Sequence, residues 1–194
     1  MKKNIQNKTG YCILLFCLVF TCVSCKKNTV ALSPSGSASY YIRFKANGIQ
    51  KSYLIPMTQK ISHDSLTLAG NKTYWFEVAA SDKNMESIDI GVYSDRYVVA
   101  NTYKETDLLF GYQPKAMIAF QVPGGLGYIS CGIYDPQIFP QYNKACSVTI
   151  SSLTKTDVKG TFSATLYQLN NTIGYPSLKD SVQITGGEFY MPVK

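Results

Sequence analysis

From residue 40 onward the chain alternates apolar and polar residues with a period of two, the pattern of strands that bury one face. Ile42, Phe44 and Ala46 interleave with Tyr41, Arg43 and Lys45. Asn47-Gly48 follows, and this pair suits a two-residue type I′ turn because both turn positions need positive φ. Closing that hairpin with Ala46 against Ile49 sets Ile42 opposite Tyr53 and Arg43 opposite Ser52, with an apolar face broken only by Lys51. The same alternation predicts strands over 66–69, 73–80, 87–93, 116–122, 128–133, 147–152, 158–169 and 181–191, punctuated by Gly, Asn, Asp and Pro. Gly186-Gly187 before Phe189 predicts a bulge that resets which face points inward. Residues 94–115 and 134–145 are the least regular, and Pro136 and Pro140 make the second a loop or an excursion beyond a sheet edge. No stretch of ten or more residues carries a 3.6-residue apolar stripe. The expected fold is all-β: an antiparallel β-sandwich, or a partly open barrel, in one domain over 40–194.

The first 24 residues follow a different rule. Lys2, Lys3 and Lys8 precede an uncharged, mostly apolar run from Tyr11 to Val23, which ends in small residues and Cys25. That is the layout of a secretory signal. Tyr11 to Cys25 is 15 residues, short of the roughly 20 a spanning helix needs. The junction Cys22-Val-Ser-Cys25-Lys-Lys resembles the lipobox of bacterial lipoproteins, in which the cysteine is acylated and becomes the new N-terminus. Val23 and Ser24 fit that box, whereas Cys22 stands where leucine is usual. Bulky Phe20 and branched Thr21 make Cys22 the poorer candidate for the lipid. The resemblance implies residues 1–24 as signal, Cys25 as the lipidated residue and tethering to a membrane without spanning it, since two or more acyl chains hold firmly. Residues 25–39, small and polar with Pro34 and Gly36, have linker composition. Lys26 after the cysteine, with no acidic cluster behind it, implies by family analogy the periplasmic side of an outer membrane rather than the cell surface.

Charge changes the picture little. Without the signal, sixteen basic residues face twelve acidic ones, and no basic run exceeds two. That scatter, with Arg43 and Arg96 the only arginines, is no nucleic-acid footprint. The cysteines beyond the anchor, Cys131 and Cys146, lie on apolar phases, Ile129-Cys131-Ile133 and Cys146-Val148-Ile150. In an oxidising compartment they read either as a disulfide, stabilising by roughly 3 kcal/mol, or as two buried thiols packed as small hydrophobes.

Catalytic chemistry finds little to stand on. His63, the sole histidine, sits beside Asp64 and Ser65, and three consecutive residues do not converge as a triad does; it reads as a surface-loop residue. One histidine and two cysteines fall short of a zinc set, and Asp82, Asp89 and Asp95 lack the spacing of a calcium loop. Neither a metal nor a cofactor is expected. Glu77, Glu86, Glu105 and Glu188 are the only glutamates, and nothing in the sequence pairs any two of them for glycoside hydrolysis. Gly124-Gly125-Leu126-Gly127 joins two expected strands and so reads as a turn, not a phosphate loop. The sharper candidate is aromatic. If Val78 pairs with Ile90, the single tryptophan, Trp75, falls opposite Tyr93 on the polar face, near Glu77 and Asp89. Such a pair is a ligand platform for stacking on a sugar ring, or a cross-strand pair that stabilises the sheet by about 0.2–1 kcal/mol.

Val148-Thr-Ile-Ser-Ser-Leu, Val158-Lys-Gly-Thr-Phe-Ser-Ala-Thr-Leu and Ile184-Thr-Gly-Gly-Glu-Phe, with the early Phe44-Lys-Ala-Asn-Gly, resemble the ends of small, functionally uncharacterised Bacteroidetes-type lipoproteins. The resemblance leaves residues 56–140 unmatched and contains no catalytic residue. It implies an address and a β-sandwich. The expected function is that of a lipid-anchored, non-catalytic binding or accessory module of the cell envelope, with a glycan or an envelope protein as partner. The alternatives are glycan recognition through Trp75 and Tyr93, or a structural subunit of an outer-membrane assembly.

Overall fold

Asn47 and Gly48 take φ values of 48° and 81°, the left-handed pair that a two-residue hairpin requires. Around them β1 (Tyr41–Ala46) and β2 (Ile49–Leu54) pair in the expected register, Ala46 with Ile49, Arg43 with Ser52 and Ile42 with Tyr53. The structure is a computed structural model that describes residues 40–54, 62–68, 70–111, 113–124, 127–130, 145–170 and 177–193. The remaining strands are β3 (Ser62–Leu68), β4 (Asn71–Ser81), β5 (Ser87–Ser94), β6 (Asn101–Lys104), β7 (Leu108–Leu109), β8 (Gln113–Pro114), β9 (Ala116–Gln121), β10 (Gly127–Ile129), β11 (Ser147–Leu153), β12 (Asp157–Asn170) and β13 (Ser177–Pro192). Among the described residues there is no helix, hence none long and apolar enough to cross a membrane.

Among the described residues all pairing is antiparallel, and it forks at β12. One edge of β12 pairs with β13 along its whole length. The other edge takes β11 along its first half and β10 at Tyr167. One layer therefore runs β6-β11-β12-β13-β1-β2, and the other continues from the end of β12 through β10-β9-β5-β4-β3. The layers face each other as a sandwich that does not close into a barrel. Phe44 of β1 meets Phe120 of β9 edge-on at 5.5 Å between ring centroids and Phe162 of β12 at 5.8 Å. Ile42, Phe76, Val78, Ile90, Val148, Val158, Leu166, Ile184 and Phe189 fill the rest of one continuous core, each contributing roughly 1.5–3 kcal/mol by leaving water.

Lys51, the polar break in the first hairpin's apolar face, is satisfied from the opposite layer. Its Nζ lies 2.6 Å from Glu86 Oε2, and the Tyr53 hydroxyl donates to Glu86 Oε1 at 2.6 Å. Glu86 sits in the β4–β5 turn, where its own backbone N–H donates to Asp82 Oδ1. The three groups clamp the edge hairpin to the facing layer.

The bulge at Gly186-Gly187 is present. Phe162 pairs with Gly187, but Ala164 pairs with Ile184, so two residues of β13 oppose Ser163 alone. Gly186 takes a φ of 58°, a left-handed backbone that glycine adopts readily at a bulge. The inward phase changes across it, from Val182 and Ile184 to Phe189 and Met191.

Three expectations need correction. His63 lies within β3, its Cα paired with Phe76, and not in a loop. The 11-residue β4 offers a long edge to pair with, and backbone pairing overrides the weak strand propensity of Ser62-His63-Asp64-Ser65. In and just after β10 it is Tyr128 and Ser130 that point inward, opposite Phe120 and Ile118, while Ile129 pairs with Ala119 on the outer side. The outer side is itself apolar there, with Met117 and Tyr167 buried, so alternation could not tell the two faces apart. Finally, β6, β7 and β8 occupy the stretch that looked irregular. Gly127 pairs with Gln121, so β9 and β10 on either side of the glycine segment are antiparallel, with residues 125 and 126 outside the described residues.

Gly160 faces inward where β11, β12 and β13 crowd. A Cβ there would lie 2.3 Å from Phe189 Cζ and 2.4 Å from the Thr149 carbonyl oxygen. Gly160→Ala should therefore cost about 3 kcal/mol, the upper range for overpacking, and lower the urea midpoint. An unchanged midpoint would show that the strands have room to separate.

Candidate functional site

Two surfaces compete for the role. The first is the pair anticipated from sequence. β4 and β5 pair with Val78 opposite Ile90, and Trp75 falls directly across from Tyr93. Ala79 faces Asp89 and Glu77 faces Gly91 in the same register, so both carboxyl groups share the face with the two rings. The structure makes this a filled corner more than an open platform. Trp75, Glu77, Asp89 and Tyr93 are all half-buried. The Tyr93 ring leans over Gly91, whose Cβ position would lie 3.3 Å from its Cε2. Burial first, then the neighbouring charge and hydrogen bond of Glu77, push the Asp89 carboxyl well above the usual carboxylate range. Burial and the charges of Asp89 and Glu77 likewise push the Tyr93 phenol up.

The second surface lies on the outward face of the other layer, built from the polar phase of strands whose apolar phase forms the core. Register aligns five residues on five strands: Arg43 of β1 with Glu188 of β13, Glu188 with Thr161 of β12, Thr161 with Thr149 of β11, and Thr149 with Thr102 of β6. Arg43 Nη2 and Nε donate to Glu188 Oε2 at 2.6 and 3.0 Å, and the Thr102 and Thr149 hydroxyls are hydrogen-bonded at 2.9 Å. Tyr41, Tyr190 and Lys159 form the adjacent row. The Arg43 guanidinium stands 4.8 Å from the Tyr41 ring centre, and Lys159 Nζ stands 4.6 Å from that of Tyr190. Beside these rows the bulge opens a groove of about 240 Å³, walled by Ser147, Thr149, Thr161, Ser163 and Glu188 and floored by Phe162, Gly186 and Gly187. Glycine is required in that floor, because a Cβ on Gly187 would lie 2.5 Å from the Phe162 carbonyl oxygen. Chemically the groove offers hydroxyls that both donate and accept and the Glu188 carboxylate, and the rows beside it add Arg43, Lys159 and two tyrosine rings.

The remaining candidates are placed as follows. Cys25 and Cys131 lie outside the described residues. Cys146 is a buried free thiol pointing inward as expected; burial, and then the charge of Glu105, push it up against the opposing hydrogen bond from Ser130. Asp82 braces the β4–β5 turn by accepting from the backbone N–H groups of Asn84 and Glu86. Asp95 lies 3.7 Å from the Arg96 guanidinium in an exposed pair. Among the described residues, no group of three or more His, Cys, Asp or Glu side chains is placed to hold a metal ion. All four glutamates prove to be engaged. Glu77 meets Asp89, Glu86 meets Lys51 and Tyr53, Glu188 meets Arg43, and the buried Glu105 accepts the Cys146 backbone N–H at 3.1 Å. Sequence reasoning missed these partners and the hydroxyl groove. Their only signal is the polar phase of strands whose spatial order is not written locally. No family model, curated protein or solved structure matches the chain.

The Glu77–Asp89 pair sets a pH dependence. An acid whose folded pKa is raised stabilises the fold fully below its unfolded value, about 3.9, and loses that contribution as pH rises towards the folded value. Stability should therefore decline as pH rises above about 4. Asp89→Asn keeps a donor for Glu77 and removes the proton, so it should flatten that slope and raise the urea midpoint at pH 7. Parallel slopes in the two proteins would show that Asp89 titrates normally.

Proposed function

We propose that this chain is a lipid-anchored module of the bacterial cell envelope, tethered through Cys25, that binds a polar ligand without catalysis in the groove over β11, β12 and β13. One observation carries the binding half of this reading: the five-strand row from Arg43 to Thr102 lies beside an open, hydroxyl-walled groove. A stabilising role alone does not call for such a row, since exposed ion pairs like Arg43–Glu188 contribute about 0–1 kcal/mol. The anchoring half rests on the signal-like first 24 residues and the Ser24-Cys25 junction. Lys26 directly after Cys25, with no acidic cluster behind it, supports the periplasmic side of an outer membrane. A glycan at Trp75 and Tyr93 is the second reading, favoured by their direct cross-strand pairing beside two carboxyl groups.

Intact mass and membrane fractionation of the native protein beside Cys25→Ser test the address. The native protein should carry acyl mass on Cys25 and sediment with membranes, and Cys25→Ser should be uncleaved or soluble. If both proteins are unacylated and soluble, the lipid anchor is excluded.

A further inference from the structure

The face that carries the groove is unevenly charged. Arg43 and Lys45 of β1, Lys104 of β6 and Lys159 of β12 all stand exposed on its outward side. The acids there are Glu188, already paired with Arg43, and Asp157 at the margin, which accepts from the Thr156 hydroxyl at 3.1 Å. A ligand resting on this face meets positive charge. In the groove it meets four hydroxyl side chains and Glu188 around a single apolar side chain, Phe162.

The geometry narrows the shape of the ligand. The row of Arg43, Glu188, Thr161, Thr149 and Thr102 crosses five strands, which at about 4.8 Å per strand makes it about 19 Å long. That exceeds one sugar ring, so the matching ligand is a chain. Hydroxyls that donate and accept suit the hydroxyl-dense edge of a saccharide. A bound peptide would instead draw on the backbone of a free strand edge or on side-chain pockets, whereas this row presents outward side chains across a paired layer, from its edge strand β6 to β1. Cations held over tyrosine rings at 4.6 and 4.8 Å are placed to take carboxylates through charge-assisted hydrogen bonds.

We infer that the outward face of β6, β11, β12, β13 and β1 binds a carboxylate-bearing polysaccharide, with Arg43 and Lys159 on its carboxylates and the threonine row on its ring hydroxyls. The inference rests on the binding-module reading and gives that reading its ligand class. The test uses the full chain in detergent, with immobilised polygalacturonate and neutral dextran as probes. Retention should occur on polygalacturonate and not on dextran. The double variant Arg43→Ala/Lys159→Ala should weaken it at least tenfold, and Thr161→Val at least threefold, at unchanged thermal midpoints. Lys104→Glu, a single exposed substitution, should weaken it several-fold and serves if the double variant does not fold. Absence of retention, full retention by the charge variants, or an unaffected Thr161→Val would each overturn the inference. So would equal competition by polyglutamate, which would mark a general polyanion surface. The anchor is read separately. An acylated protein without retention overturns only the ligand class, and an unacylated protein that is retained overturns only the tether.

Discussion

Everything else in the molecule hangs on the antiparallel pairing of β12 with β13. These strands run 14 and 16 residues, well over twice the usual strand length of 5–6, because β12 carries pairing into both layers and β13 follows it along its whole length. A strand that long must coil, and the register shifts at Phe162/Ala164 and Gln168/Leu169 let it do so. The first shift has a second effect. By moving the inward phase from Ile184 to Phe189, it keeps β13 apolar towards the core on both sides of the bend. The other edge of β13 carries β1, so the N-terminal hairpin is held by the last strand of the chain. A two-stranded hairpin alone is marginal in water. Strong as its turn signal is, β1–β2 gains its stability only when a contact about 145 residues distant in sequence forms, and topologies of this kind fold slowly.

The described polar groups follow from the same architecture. Lys51 lies on the inward phase of an edge strand, where a charge without a partner would be costly. Glu86 reaches it from the facing layer's turn and takes the Tyr53 hydroxyl as well. Glu105 is fully buried beside β11 and exchanges backbone and carboxylate hydrogen bonds with Cys146. The Glu77–Asp89 pair sits on the outer side of β4 and β5, and there burial and the neighbouring Glu77 push the Asp89 carboxyl up, which favours a hydrogen bond between the two over a pair of like charges.

How much of this was legible depended on whether the signal was local. Asn47-Gly48, the Trp75–Tyr93 register and the Gly186-Gly187 bulge could be read because turn chemistry and period-two alternation act over a few residues. The extents of β4, β5, β9, β11 and β12 came within a residue or two for the same reason. β7 and β8 have two residues each and β6 has four, too few for any period to show. The side assignment of Ile129 failed because apolar residues lie on both faces of β10. The fork at β12 was invisible, since the placement of β10 and β11 along one edge depends on global packing. The groove inherited that blindness, as its row draws on positions from 43 to 188 that only the strand order brings side by side.

Stability and recognition can be separated in such a structure. The fold demands apolar residues on the inward phase, glycine at 160 and 187 where backbones nearly touch, and left-handed backbone at 47, 48 and 186. It demands little of the outward phase of a paired layer, where substitutions away from special features usually cost under about 0.5 kcal/mol. The composition of that face is therefore the part of the sequence that packing does not explain. An ordered run of Arg43, Glu188, Thr161, Thr149 and Thr102, flanked by two tyrosines under cations, is more specific than solubility requires. The bulge links the two demands. Glycine is fixed in the groove floor by the approach of Phe162 to Gly187, and the missing side chains leave the concavity open. A device imposed by packing thus shapes the surface on which binding would act, while the residues that would do the binding remain free to vary without unfolding the protein.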